Sequence, residues 1–231
     1  MITNNVIQRT YFISVNNDTG SSFTMEHEDK QYLITAKHVL ESLECNNGDS
    51  IQIKIFRDEE WFVLYCNVYF HDDPEIDIAV LQTEQVQFPR FPVIFGPNNL
   101  ILGGDIFFLG FPYGMFTADD GSINQKFPIP FVKKGVLSAM TFKYNITTLY
   151  LDAHNNSGFS GGPIVTISSN REMNVVGVNV SYIKHDNVVN VEEQDEDGYL
   201  YQKQLEYFEN SGIMEAQSIH HVTQIISQNN L

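Results

Sequence analysis

Positive charge is scarce in this sequence. Thirteen Lys and Arg face 29 Asp and Glu, for a net charge of −16 and an isoelectric point near 4.6. That balance excludes nucleic acid and anionic membrane as expected partners, because both need a positive surface. Cysteine is nearly absent: Cys45 and Cys66 are the whole complement, too few for a disulfide framework. No uninterrupted apolar run is long enough to span a bilayer, and the start, MITNNVIQRTYFISVNN, lacks the basic, apolar and small-residue segments of a secretory signal. The location expected from these absences is the cytoplasm. There is no Pro- or Ser-rich linker and no internal repeat.

What is present is aromatic and β-branched. Over 231 residues, 42% are hydrophobic and 13% aromatic, with 17 Phe and 11 Tyr, enough to bury one large or two small cores. Short runs such as QYLITA, SIQIKIF, EWFVLYCNVYF, DIAVLQ, DIFFLG, GPIVTI and NVVGVNVSYI recur between turn clusters such as NNDTG, NNGD, GPNN and SSN. This spacing predicts an all-β assembly of two consecutive barrels. Helical periodicity is confined to the end, where Ile219, Val222, Ile225 and Ile226 share a face after Gln217 or Ser218. One compositional break, residues 184–212, reads as a polar, acidic surface loop or hairpin.

Three segments carry chemistry. His38 sits in a small-residue turn after a strand, within Leu33-Ile34-Thr35-Ala36-Lys37-His38. Asp77 immediately precedes the apolar strand Ile78-Ala79-Val80-Leu81, which is expected to bury it. Ser160 lies in Gly158-Phe159-Ser160-Gly161-Gly162-Pro163, where glycines leave backbone N–H groups free to point inward. A serine nucleophile needs a base, a group to orient that base, and donors for the developing oxyanion; the chain offers one candidate for each, in the order His, Asp, Ser. Other polar clusters carry less. In the run from Glu192 to Gly198, counting from Glu193 puts Gln204 where a calcium-binding loop needs a bidentate Glu, and His220-His221 and His27-Glu28 have no companion at metal-ligand spacing.

Together these segments resemble the chymotrypsin-like (trypsin-fold) serine peptidases, and within them the bacterial HtrA branch. The resemblance extends to Thr19-Gly20-Ser21-Ser22-Phe23, to the strand Asp105–Gly110 with the Gly110-Phe111-Pro112-Tyr113-Gly114 that follows, and to Gly135-Val136-Leu137-Ser138-Ala139. It continues through Asp152–Gly158, Val175–Asn179 and Ala216–Ile219, covering about residues 19–228 in order.

The resemblance implies a single peptidase unit over 1–231: two six-stranded antiparallel barrels, at about 1–90 and 100–215, and a short C-terminal helix at 217–228. It leaves no room for the PDZ domain that often follows in HtrA proteins. It further implies a serine endopeptidase acting on peptide or protein substrates through an acyl-enzyme, with no cofactor and no metal. His38 is the implied general base, Asp77 its orienting carboxylate and Ser160 the nucleophile, with the N–H groups of Gly158 and Ser160 as oxyanion hole. His154, Asn155 and Ser157 fall where the primary specificity pocket is built, and Val178, Asn179, Val180 and Ser181 on the edge strand that pairs with an extended substrate. The polar lining from His154, Asn155 and Asn179 suggests a hydrogen-bonding or acidic P1 side chain. The main departure from the family pattern is Phe159, where Asp or Asn is usual; Ser157 is a minor one. A phenylalanine cannot receive the newly cut N-terminal ammonium that activates trypsin zymogens. Its ring either packs under the loop, or is exposed and leaves the oxyanion hole malleable. The alternative reading of the chain is a catalytically inactive trypsin-fold module that binds peptides.

Overall fold

The structure, a computed structural model, describes residues 2–231 except 84, 119, 122 and 195–198. After a single helical turn, α1 (Asn4–Ile7), the strands β1 (Thr10–Val15), β2 (Asp18–His27), β3 (Lys30–Ala36), β4 (Ser50–Arg57), β5 (Glu60–Phe70) and β6 (Ile78–Gln82) close a barrel. Its order is β1-β2-β3-β6-β5-β4, and Ile13 opposite Ile55 closes the ring. A second sheet follows, made of β7 (Ile94–Phe95), β8 (Asp105–Gly110), β9 (Phe131–Lys143), β10 (Ile146–Asp152), β11 (Pro163–Ile167), β12 (Met173–Gln194) and β13 (Leu200–Ser218). The order is β11-β8-β9-β10-β13-β12-β7, and pairing of β11 with β12 turns it into a ring; the short β7 is attached in parallel. Helix α2 (His220–Gln228) closes the chain. Among the described residues no helix is long and apolar enough to cross a membrane.

Strand alternation sends successive side chains to opposite faces, and here both faces are apolar because each barrel packs inward and against its neighbour. In β3, Leu33 points into the first barrel while Tyr32 and Ile34 point out of it; in β6, Ala79 and Leu81 point in while Ile78 and Val80 point out. The outward set meets Val175 and Val178 of β12 together with Ile219, Val222, Ile225 and Ile226, so the apolar face expected of the final helix seals a core shared by both barrels. The second barrel is filled by Ile106, Phe108, Leu137, Leu149, Leu151, Val176 and Met214.

Two local expectations are displaced. The strand-like run Val6–Val15 forms a strand only from Thr10, because Val6 is used in α1 and is buried in the shared core. The terminal helix begins at His220, with Ser218 Oγ accepting the His220 N–H at 3.3 Å. The cysteines are both free thiols; Cys66 is buried, and that burial pushes its pKa up to about 12.

Candidate active site

Register brings the first pair of residues together. Ala36 pairs with Ile78 across β3 and β6, so the residues just beyond each strand end, His38 and Asp77, are neighbours. Lys37 and His38 open a 3₁₀ turn at Lys37–Leu43, and the Lys37 N–H donates to the Asp77 carbonyl at 3.2 Å. The Asp77 carboxylate then grips His38 twice. Oδ1 accepts the His38 backbone N–H at 2.9 Å, and Oδ2 lies 2.6 Å from Nδ1. With Nδ1–H donating to the carboxylate, the neutral ring keeps its lone pair on Nε2. Burial opposes protonation of His38, but the hydrogen bond and charge of Asp77, with a smaller contribution from Glu41, outweigh it, and the imidazole pKa is raised. Asp77 is less enclosed than its position before an apolar strand suggests: its side chain is 29% exposed and that of His38 42%.

Asp77 is also held from the other barrel. Gln217 of β13, almost fully buried, accepts the Asp77 N–H through Oε1 at 2.8 Å and donates from Nε2 to the Glu75 carbonyl at 2.9 Å. This two-point grip on the backbone around Asp77 has no local sequence signature.

The loop around Ser160 is built mainly by the backbone. Three carbonyls are tied down: Ser157 O accepts from Tyr113 N at 2.8 Å, Gly158 O from Ser21 Oγ at 2.6 Å, and Phe159 O from Gly162 N at 2.9 Å. In a trans peptide the N–H points opposite to the carbonyl, so fixing Ser157 O and Phe159 O aims the N–H groups of Gly158 and Ser160 away from those anchors. Phe159 N donates to Asn156 O and Gly161 N to Asn179 O. The N–H groups of Gly158 and Ser160 have no acceptor among the described residues. Gly158 is required here: its φ is +98°, and a Cβ would lie 2.2 Å from the Phe111 carbonyl oxygen. Ser160 O accepts from Ser21 N at 2.9 Å, which fixes the backbone of the serine against β2. Among the described residues no hydrogen bond joins Ser160 Oγ to the His38 ring, a contact that in such sites often forms only with substrate in place.

Phe159 is fully buried in the second barrel, edge-on to Phe108 with ring centroids 5.0 Å apart. Lys133 covers the same ring, its Nζ 5.5 Å from the centroid, and donates to the His154 carbonyl and to Asn156 Oδ1, the latter at 2.9 Å. Desolvation lowers the pKa of this amine.

The expected specificity residues divide. His154 and Ser157 are exposed, and each contributes its carbonyl to the loop's support. Asn155 and Asn179 are buried and bond to each other reciprocally at 3.0 and 3.2 Å, while Asn155 Nδ2 also reaches Ser181 O at 3.2 Å. Along the expected edge, Val178 pairs with Pro163 of β11, and the N–H and carbonyl of Asn179 bond to Gly162 O and Gly161 N. Among the described residues the β12 edge that faces β11 is therefore open from Val180, while the other edge stays paired with β13, where Ser181 Oγ donates to Glu215 Oε2 at 2.6 Å. Ser21, Tyr113, Lys133 and Gln217 were not visible as site residues in the sequence, since each acts across a long chain separation.

A family model described as a trypsin-like peptidase domain matches residues 20–178. No curated protein matches. Similar solved structures include the inactive serine-to-alanine form of Rv3671c from M. tuberculosis H37Rv, at 15% identity and TM-score 0.58, covering 97% of this chain and 88% of that one. Deg5 is similar at 23% identity and TM-score 0.54, covering 77% and 81%. The HtrA-type protease AlgW with tripeptide is similar at 20% identity and TM-score 0.58, covering 98% of this chain and 62% of AlgW. At these identities the likeness is one of fold.

Proposed function

Because the chain belongs to the trypsin-like peptidase family, we propose that it is an HtrA-like serine endopeptidase that hydrolyses peptide bonds in peptide or protein substrates. His38 Nε2 takes the proton of Ser160 Oγ as the oxygen attacks the scissile carbonyl, and the resulting imidazolium is stabilised by Asp77. The oxyanion forms against the N–H groups of Gly158 and Ser160, and His38 returns the proton to the leaving amine. Water then attacks the acyl-enzyme by the same route in reverse.

The observation that carries this reading is the two-point grip of Asp77 on His38, at 2.6 and 2.9 Å, which sets the ring's tautomer and orientation. The unused N–H groups beside Ser160 support it, since they match what a tetrahedral intermediate needs. Substrate pairs with the edge from Val180 onward, because the backbone of Val178 and Asn179 already bonds within the protein. The mutual bonding of Asn155 and Asn179 removes the expected demand for a hydrogen-bonding P1 group. A fluorophosphonate probe tests the reading: the wild type is expected to label and Ser160→Ala to stay unlabelled. Folded wild-type protein that fails to label supports the inactive peptide-binding module instead.

A further inference from the structure

Strands β12 and β13 are far longer than the barrel uses. β12 runs 22 residues and β13 19. Among their barrel neighbours, β11 reaches β12 only over Met173–Val178, and β10 reaches β13 only over Ile213–Gln217. Beyond a bulge at Tyr182–Lys184 the two continue alone as a ribbon, paired from Lys184 opposite Asn210 to Gln194 opposite Leu200. At a rise of about 3.3 Å per residue this ribbon projects roughly 35 Å. Its root is the active site: Ala153 N donates to Gly212 O, Asn210 Nδ2 donates to Asn155 O at 2.5 Å, and β12 enters the ribbon directly from Val180–Tyr182.

An isolated two-stranded ribbon is marginal in water, and this one leaves apolar groups uncovered: Val188, Val189, Leu205, Tyr207 and Phe208 are 42–65% exposed. Register mixes carboxylates and apolar groups on both faces. On one, β12 presents Asp186, Val188 and Glu192, with Phe208 and Glu206 one strand in; on the other it presents Val189, Val191 and Glu193, with Glu209, Tyr207 and Leu205 one strand in. Between Ile183 and Gly212 the sequence holds eight carboxylates and two lysines.

We propose that the open edge of β12 from Lys184 to Val191 is an exosite, which docks the stretch of a protein substrate upstream of its scissile bond as an added antiparallel strand and selects basic over acidic residues in it. The proposal rests on the peptidase reading for where the scissile bond lies. Direction follows from geometry. A peptide running antiparallel to β12 travels from the ribbon's tip toward Ser160, so its upstream residues lie over the ribbon. Selection follows from charge: side chains of the added strand fall in turn on both faces of the ribbon, and each face holds carboxylates, Asp186, Glu192 and Glu206 on one and Glu193 and Glu209 on the other. A second copy is the poorer occupant, because edge-to-edge pairing of two such ribbons brings carboxylates of like charge together in a chain of net charge −16.

The test uses Ser160→Ala protein and fluorescent peptides that share one core sequence. One has no extension, one has about ten upstream residues alternating lysine and valine, and one has the same extension with glutamate for lysine. Fluorescence anisotropy is expected to show the lysine–valine peptide binding about tenfold or more tighter than the core. The gain should vanish in Asp186→Lys/Glu206→Lys protein of unchanged far-UV circular dichroism, and shrink in about 0.5 M salt with the unmodified ribbon. Equal binding of all three peptides overturns the proposal, as does sedimentation showing a ribbon-mediated dimer that excludes the peptide. If wild type fails to label with fluorophosphonate while the lysine–valine preference persists, the peptidase reading falls and the β12 edge stands as a docking site for basic strands.

Discussion

Replacing Phe159 by alanine separates packing from the proposed chemistry in the Ser160 loop. The ring is fully buried, edge-on to Phe108 and covered by Lys133, and the backbone of Gly110 approaches it closely. Truncating a buried Phe to Ala typically costs about 3–5 kcal/mol, from lost transfer free energy plus the cavity left behind. Collapse around residue 159 is restricted, because the loop backbone is tied to Tyr113, Ser21 and Asn156. The upper half of that range is therefore expected. With a urea m-value of about 2–3 kcal/mol/M, the unfolding midpoint should fall by about 1.3–2.5 M. Phe159→Leu, which refills most of the volume, should cost only about 1–1.5 kcal/mol. Far-UV circular dichroism in urea measures both. Fluorophosphonate labelling under native conditions reads the second consequence: a loosened loop holds the Gly158 N–H less firmly, so labelling of folded Phe159→Ala should slow, by at most the ~10²–10³ that removal of one oxyanion donor costs. A midpoint within about 0.3 M of wild type would refute the packing argument.

Two further expectations concern His38 and Gln217. Because the His38 pKa is raised, the acidic limb of kcat/KM should lie above the usual ~6.5, with activity rising as the ring loses its proton. Asp77→Asn should move that limb down, and an unmoved limb would remove Asp77 from the site. The sign for stability is opposite: the contribution of protonated His38 is present below about pH 6.5 and lost as pH rises through the raised folded-state pKa, which pH-dependent unfolding in both proteins would reveal. Gln217→Leu leaves the Asp77 N–H and Glu75 carbonyl without their partner, so it should destabilise by about 1–3 kcal/mol and lower kcat more than it raises KM. A change confined to stability would make Gln217 merely structural.

Much of this was legible locally. Strand–turn periodicity gave the barrels, and the apolar face Ile219–Ile226 packs as its spacing suggests, because both rest on side-chain alternation that tertiary context did not override. His38 and Asp77 could be named because each sits at the end of a short apolar strand, and strand register does the rest. The supports of the site are another matter. Ser21 reaches Gly158 across 137 positions and Gln217 reaches the Asp77 segment across 140, contacts that no window along the chain can contain. The ribbon was half-visible. Leu-Tyr-Gln-Lys-Gln-Leu-Glu-Tyr-Phe at 200–208 has strand-like content, but the polar stretch 184–194 opposite it follows as a strand because its pairing continues a barrel strand already in register.

The burial of Phe159 bears on how sequences like this one are recognised. The loop is shaped by carbonyls of residues 157–159 and by glycines that tolerate close approach, none of which calls for a carboxylate at 159. A signature that demands a carboxylate before the serine tests for one activation device and rejects this chain. A signature written for the glycines, with a large apolar neighbour allowed to fill the barrel beneath, tests for the loop's shape and retains it.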